Sequence, residues 1–221
     1  MDSSTNRTLY IGSGSPYSWR VWLALEHKRL PYTLRIMSFS AGDLRTPAFT
    51  ALNPRRKVPV LDDGGFAIYE SAAIVDYLDD AYRDVGAPLF PAETRARAVA
   101  RRKIREADEY VAHAMERISD QVLFTPPEKW DAGAIARARD DFAAELDYFE
   151  RELTGDFLVG AAGAADFTLY PLLALAQRME AKKKPDLGVA SAIGPRLAAW
   201  MRRVESLPYF AATYPPHWKN A

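Results

Sequence analysis

The chain has 221 residues, 48% of them hydrophobic and 12% aromatic, which supplies a substantial core and excludes disorder as the main state. Lysine plus arginine and aspartate plus glutamate both number 29, a formal charge of +0 that argues against nucleic acid or an anionic membrane as the principal partner. The absence of cysteine removes disulfides, thiolate metal sites and a cysteine nucleophile together.

The chain opens on MDSSTNRT, which is polar and lacks the apolar core of a signal peptide, so a cytoplasmic protein is expected. Residues 9–11 read as a strand, and Gly12-Ser13-Gly14-Ser15-Pro16 as the turn into a helix. Proline suits the first helical position, where its missing N–H costs nothing, and a serine just before it is a favoured N-cap. Such a helix start offers orphan N–H groups and a positive dipole end to an anion. A dinucleotide fingerprint is incomplete, because Tyr17 stands at its third glycine, and no Gly-Lys-Ser/Thr ending marks a nucleoside triphosphate loop. From Trp19 the helix is mostly apolar, Glu26 to Arg29 read as its solvated end, and Pro31 stops it.

Residues 32–37 form a second strand, residues 43–52 a short helical or irregular piece, and Asn53-Pro54 interrupts it. Val58-Pro59-Val60-Leu61 is extended, Asp62-Asp63-Gly64-Gly65 reads as a hairpin turn, and residues 66–69 return. A helix capped by Ser71 follows to about Tyr82. Residues 83–91, with Gly86, Pro88 and Pro91, form a linker. Beyond it no strand pattern appears. A long helical pattern over residues 93–124 carries Ala100, Ile104, Ala107, Val111, Ala114, Ile118 and Val122 on one face, and further helices cover about 134–153, 166–181 and 195–204. The longest apolar stretch, residues 167–176, is too short to span a bilayer. His27, His113 and His217 lack ligand spacing and read as surface or packing residues, so no metal site is expected.

Three segments in this order resemble the glutathione S-transferase family, and the resemblance covers nearly the whole chain. They are Ser15-Pro16-Tyr17-Ser18-Trp19-Arg20-Val21, similar to the serine active-site segment of the zeta, tau and phi classes; Asn53-Pro54 with Lys57-Val58-Pro59-Val60-Leu61; and Tyr69-Glu70-Ser71-Ala72-Ala73-Ile74 leading to Tyr77-Leu78. The resemblance implies a thioredoxin-like α/β domain over residues 1–82, the linker 83–91, and an all-α domain over 92–221 that contributes the second-substrate site. It implies a cytoplasmic, homodimeric, detoxifying transferase with glutathione as co-substrate, a small hydrophobic electrophile as second substrate, and no tightly bound cofactor.

Within that resemblance Ser15 is the catalytic residue. A free thiol has a pKa of about 8.5, and lowering it by two units requires roughly 2.7 kcal/mol. A hydroxyl hydrogen bond to a charged group supplies about 1.5–3 kcal/mol and a helix N-terminus about 0.3–1, so one serine at a helix start suffices. Capping alone is the bland alternative. The resemblance also implies a cis Val58–Pro59 bond that turns the backbone of Val58 toward the cysteinyl residue of glutathione; the alternative is an edge-strand proline. Glu70 and Ser71 would hold the γ-glutamyl end and Lys57 the glycyl carboxylate, against a plain helix cap and a plain exposed lysine. Tyr17, Tyr110, His113 and Ala114 are candidates for the second-substrate pocket, although such residues on a helix face are more often core.

Two features depart from the family pattern. Tyr17 and Trp22 stand where the zeta isomerases carry a cysteine and usually an arginine, which weakens an isomerase reading. Gly163-Ala164-Ala165-Asp166 replaces the Ser/Thr-x-x-Asp cap of the second domain, so half of a reciprocal capping bond is expected to be lost and Asp166 to be structural. The alternatives to a transferase are a glutathione-dependent isomerase or lyase, and a glutathione-binding protein without turnover. The basic run Arg95, Arg97, Arg101, Arg102, Lys103, Arg105 reads either as a solvated face or as a surface meeting a partner subunit's acids.

Overall fold

The computed structural model describes residues 6–219. The chain divides into two compact units, one joining residues up to Phe90 with those from Pro208 onward, the other spanning Pro91–Leu207. The sequence reading carried the helical domain to the end of the chain. In the structure the tail beyond Leu207 groups with the first unit instead, because its aromatic residues surround Trp19.

In the first unit the elements are β1 (Arg7–Ile11), α1 (Pro16–His27), β2 (Thr33–Ile36), α2 (Pro47–Leu52), β3 (Val60–Asp63), β4 (Phe66–Tyr69) and α3 (Ser71–Ala81). The four strands lie in the order β2-β1-β3-β4, with β1 parallel to β2 and antiparallel to β3, and β3 antiparallel to β4. This is the mixed sheet of the expected thioredoxin-like unit. Leu9, Ile11 and Leu61 are buried on the sheet. Tyr10, which alternation turns to the opposite face from Leu9 and Ile11, meets Phe49 of α2 edge-on at 6.0 Å.

Two local readings change. Asp62 and Asp63 belong to β3 rather than to the turn, which is Gly64-Gly65 alone, with φ of 67° and 92°. A two-residue hairpin turn of this kind needs positive φ at both central residues, and only the glycines adopt it cheaply. The end of α1 is only partly solvated: Arg29 is exposed and Glu26 and His27 are half-buried, but Lys28 is fully buried, and its ammonium takes no hydrogen bond among the described residues. Burial lowers its pKa, and the attraction of Asp79 partly restores it. The polar letters after Leu25 concealed this, because a lysine stem packs like an apolar chain.

The second unit contains α4 (Thr94–Glu106), a π-helical turn (Ala107–Val111), α5 (Ala112–Val122), α6 (Ala132–Glu152), α7 (Ala164–Lys182) and α8 (Pro195–Glu205). The long helical pattern is thus continuous through a π turn, and all seven residues of its apolar face are buried. Asp166 is buried at the start of α7, where Oδ2 accepts from Gly163 N at 3.0 Å and Oδ1 accepts from Leu158 N at 2.9 Å and Trp200 Nε1 at 2.7 Å. The aspartate half of the reciprocal cap survives glycine at the N-cap, and Asp166 ties together the loop before α7, its first turn and α8. The basic run of α4 is partly consumed inside this unit. Lys103 is buried against Glu152 at 3.1 Å and Glu106 at 3.5 Å, and Arg102 pairs with the same two acids. Arg97 donates to the Pro91 carbonyl at 3.0 Å, while Arg95 and Arg105 stay exposed. Among the described residues no helix is long and apolar enough to cross a membrane.

Candidate functional site

Strand register brings the first-unit candidates to one end of the sheet. Tyr10 of β1 pairs with Val60 of β3, which pairs with Tyr69 of β4, forming one row. Immediately outside that row lie the turn Gly12–Ser15, the Val58-Pro59 bond, and the Glu70-Ser71 start of α3. Adjacent strands are about 4.8 Å apart, so the β1 and β4 ends of the row are separated by about 10 Å.

Ser15 is the N-cap of α1, with φ −67° and ψ 122°, and its Oγ accepts from Ser18 N at 3.3 Å. A hydroxyl has two acceptor lone pairs and one donor hydrogen. Capping uses only acceptor capacity, so the O–H stays available to donate to an anion. The capping and ligand readings of Ser15 are therefore compatible. Ser18 was not singled out by the sequence reasoning: it is buried, and its Oγ accepts from Gly12 N at 3.2 Å, fixing the turn. Gly12 lies against its neighbours, since a Cβ there would be 2.4 Å from the tip of the exposed Phe39 ring, which would have to move, and 3.1 Å from Val58 Cγ2. That contact places Val58 directly beside the Ser15 turn.

The Val58–Pro59 bond is cis, as the resemblance implies. Pro59 is buried, Val58 half-buried and Lys57 exposed. The loop ahead of them is braced by Asn53, whose buried side chain accepts from Arg55 N at 2.9 Å and donates to the Lys57 carbonyl at 2.8 Å. An asparagine before a proline signals such a turn, although the bond to Lys57 is a tertiary outcome.

At α3 the cap reading of Ser71 is corrected. The N-cap position is Glu70, and Ser71 is the first helical residue, buried, with no hydrogen bond to its hydroxyl among the described residues. Glu70 adopts φ 69° and ψ 109°, a region a non-glycine residue enters at a cost. The Glu70 side chain is exposed and makes no capping bond, so the first N–H groups of α3 are left without a side-chain cap. It is an uncapped, positively polarised helix start at the β4 end of the row.

Tyr17 is half-buried in the first turn of α1, with the Arg20 guanidinium 5.8 Å from its ring centre. The remaining pocket candidates belong to the second unit. Tyr110, in the π turn, and His113 are exposed, whereas Ala114 is buried with the apolar face of α5. His27 and His217 both pack within the first unit, and no cluster of three or more potential metal ligands occurs among the described residues.

Comparison with known proteins bears on the family and the fold. Residues 14–81 match the family model described as glutathione S-transferase, N-terminal domain, and residues 132–203 the model for its C-terminal domain. Glutathione S-transferase theta-2 of Mus musculus is 30% identical over 215 residues, covering 90% of this chain and 80% of that protein. A probable maleylacetoacetate isomerase 2 of Drosophila melanogaster is 28% identical over 218 residues, covering 94% and 87%. The crystal structure of a glutathione S-transferase from the Antarctic clam Laternula elliptica superposes with a TM-score of 0.81 at 30% identity, covering 97% of this chain and 94% of that one.

Proposed function

This chain belongs to the glutathione S-transferase family, and from that premise we propose that the Ser15 hydroxyl stabilises the thiolate of glutathione for attack on a small hydrophobic electrophile. Glutathione transfer is the activity that the family gives the chain. The observation that carries the assignment of Ser15 is its cap geometry: the oxygen accepts from Ser18 N, so the hydroxyl proton remains to be donated.

The sulfur gains from that donor and from the dipole of α1, so the thiol gives its proton to solvent without a side-chain base, and the carbon–sulfur bond forms as the bond to the leaving group (halide, for an aryl halide) breaks and that anion departs to solvent. Val58 offers its backbone to the cysteinyl residue beside the same turn. The helix start at Ser71, together with Glu70, receives the γ-glutamyl end, and Lys57 reaches the glycyl carboxylate. Tyr17 supplies an aromatic wall near the sulfur; within the second unit the exposed Tyr110 and His113 remain the candidates for the electrophile, whereas Ala114, buried in the core of that unit, does not. The protein acts as a cytoplasmic homodimer in detoxification and needs no tightly bound cofactor.

The isomerase reading has one specific support, the resemblance to the Drosophila protein. Against it stand Tyr17 and Trp22, which replace the cysteine and arginine expected there. Two measurements separate the alternatives. Ultraviolet difference absorbance on adding glutathione reports the thiolate, and initial rates with a simple aryl halide report transfer. Both signals are expected. A thiolate without turnover on any electrophile would leave a binding protein, and turnover of maleylacetoacetate alone would make it an isomerase.

A further inference from the structure

Three contacts tie the C-terminal segment of the first unit along the whole of α1. At the C-terminal end of α1, His27 Nδ1 lies 2.6 Å from the Tyr209 hydroxyl, while its Nε2 is 3.2 Å from the Pro88 carbonyl. In the middle, Trp19 Nε1 donates to Thr213 Oγ1 at 2.9 Å, and both residues are buried. Before the N-terminus, Ser13 Oγ and His217 Nδ1 are 2.7 Å apart. As the α1 partner falls from 27 to 19 to 13, the tail partner rises from 209 to 213 to 217. The tail therefore runs antiparallel to the helix.

Packing follows the same line. Trp19 is ringed by Phe210, Tyr214 and Trp218 at centroid distances of 5.8, 5.9 and 5.4 Å. At Gly14, next to Ser15, a Cβ would lie 2.7 Å from His217 Cε1 and 2.9 Å from Trp218 Nε1, and φ is +80°. The tail thus presses on the turn that carries Ser15 so closely that only glycine fits between them.

We propose that the segment Tyr209–Trp218 is a strap that sets the position of the Ser15 hydroxyl, with His217 a positioning residue acting through Ser13. The inference rests on the assignment of Ser15 above. Ser15 sits on a short turn held on one side by the Ser18 bond to Gly12 N and on the other by the bond from Ser13 to His217. Both bonds lie within three residues of the hydroxyl. Releasing one lets the turn shift relative to a bound sulfur, and catalytic geometry is sensitive to displacements of an ångström.

The test uses the full chain and the variants His217→Ala, Ser13→Ala, the double variant, and His217→Asn, whose side-chain amide reaches the place of Nδ1. Thermal melts establish that each is folded. His217→Ala and Ser13→Ala are each expected to lower kcat about tenfold, raise the pKa of bound glutathione, and leave KM for glutathione nearly unchanged. The double variant should be no worse than either single one, since both cut the same bond, and His217→Asn should recover most of the loss. Hydrogen exchange at the amides of Gly14, Ser15, Tyr17 and Ser18 gives a readout that needs no glutathione, and it should speed up in both alanine variants. Wild-type exchange in that turn together with an unchanged thiol pKa in His217→Ala would overturn the strap. A wild-type protein that leaves the thiol at its free pKa would overturn the Ser15 assignment instead, and the exchange measurement would still decide whether the tail holds the turn.

Discussion

Replacing Ser15 by alanine removes two things that can be measured apart. The first is the N-cap acceptor. Its bond to Ser18 N is 3.3 Å, at the long end of the useful range. Losing it costs about 0.5–1 kcal/mol of stability. The second is the hydroxyl proton that the proposed assignment donates to the thiolate. A hydrogen bond to a charged group contributes about 1.5–3 kcal/mol, so at 1.36 kcal/mol per unit the thiol pKa rises by about 1–2 units. The helix dipole remains and keeps about 0.3–1 kcal/mol of the stabilisation. The bound thiol should therefore move from about 6.5 to about 8, still just below the free value of about 8.5. The sign of the pH dependence follows: turnover falls about 10–100-fold near pH 6, and the deficit shrinks toward pH 9, where the thiol ionises unaided. The assay is thiolate absorbance against pH, paired with initial rates on an aryl halide over the same range. Ser15→Asp serves as the control, because it restores the cap acceptor and suits the helix dipole but offers no proton. It should melt at or above the wild-type temperature and be less active than the alanine variant. Superposable pH–rate profiles for wild type and Ser15→Ala would refute the reasoning and leave Ser15 as a cap.

Glu70→Gly removes a side chain from a backbone held at φ 69°, so the melting temperature should hold or rise while calorimetric titration shows weaker glutathione binding; wild-type affinity would take Glu70 out of the site. Burial pushes Asp166 up from 3.8 to about 6, against the pull of the N–H donors on its oxygens. Its contribution to stability is then fullest below about pH 4 and declines as pH rises toward 6, by about 3 kcal/mol at most. The stability difference between wild type and Asp166→Asn, followed by denaturant titration, should therefore narrow over that range, and a difference that widens would show that the donors outweigh desolvation. Light scattering at low micromolar protein should give a mass near twice 24.7 kDa, and salt should weaken the dimer moderately through the exposed Arg95 and Arg105; a fully active monomer would dispose of the two-fold assembly.

Much of this protein is legible from residue order alone, wherever the physics is local. Ser15-Pro16 marks a helix start because capping and a fixed φ act within one turn. The buried face from Ala100 to Val122 is visible because helical periodicity persists even through a π turn. The four-strand unit followed by helices needs only alternation and turn residues. Other features had no local signal. That Glu70 rather than Ser71 takes the cap position depends on how β4 hands the chain to α3. That Lys28 is buried depends on what packs over the end of α1. Most of all, the pairing of Ser13 with His217 joins residues 204 positions apart. Sequence separation of that size leaves no periodic trace, because such a contact is formed only when folding has brought both segments to the same side of one helix. The residue types that can do the chemistry are written in the chain, whereas the row of strand ends that gathers them, and the tail that presses on their turn, exist only in the folded unit.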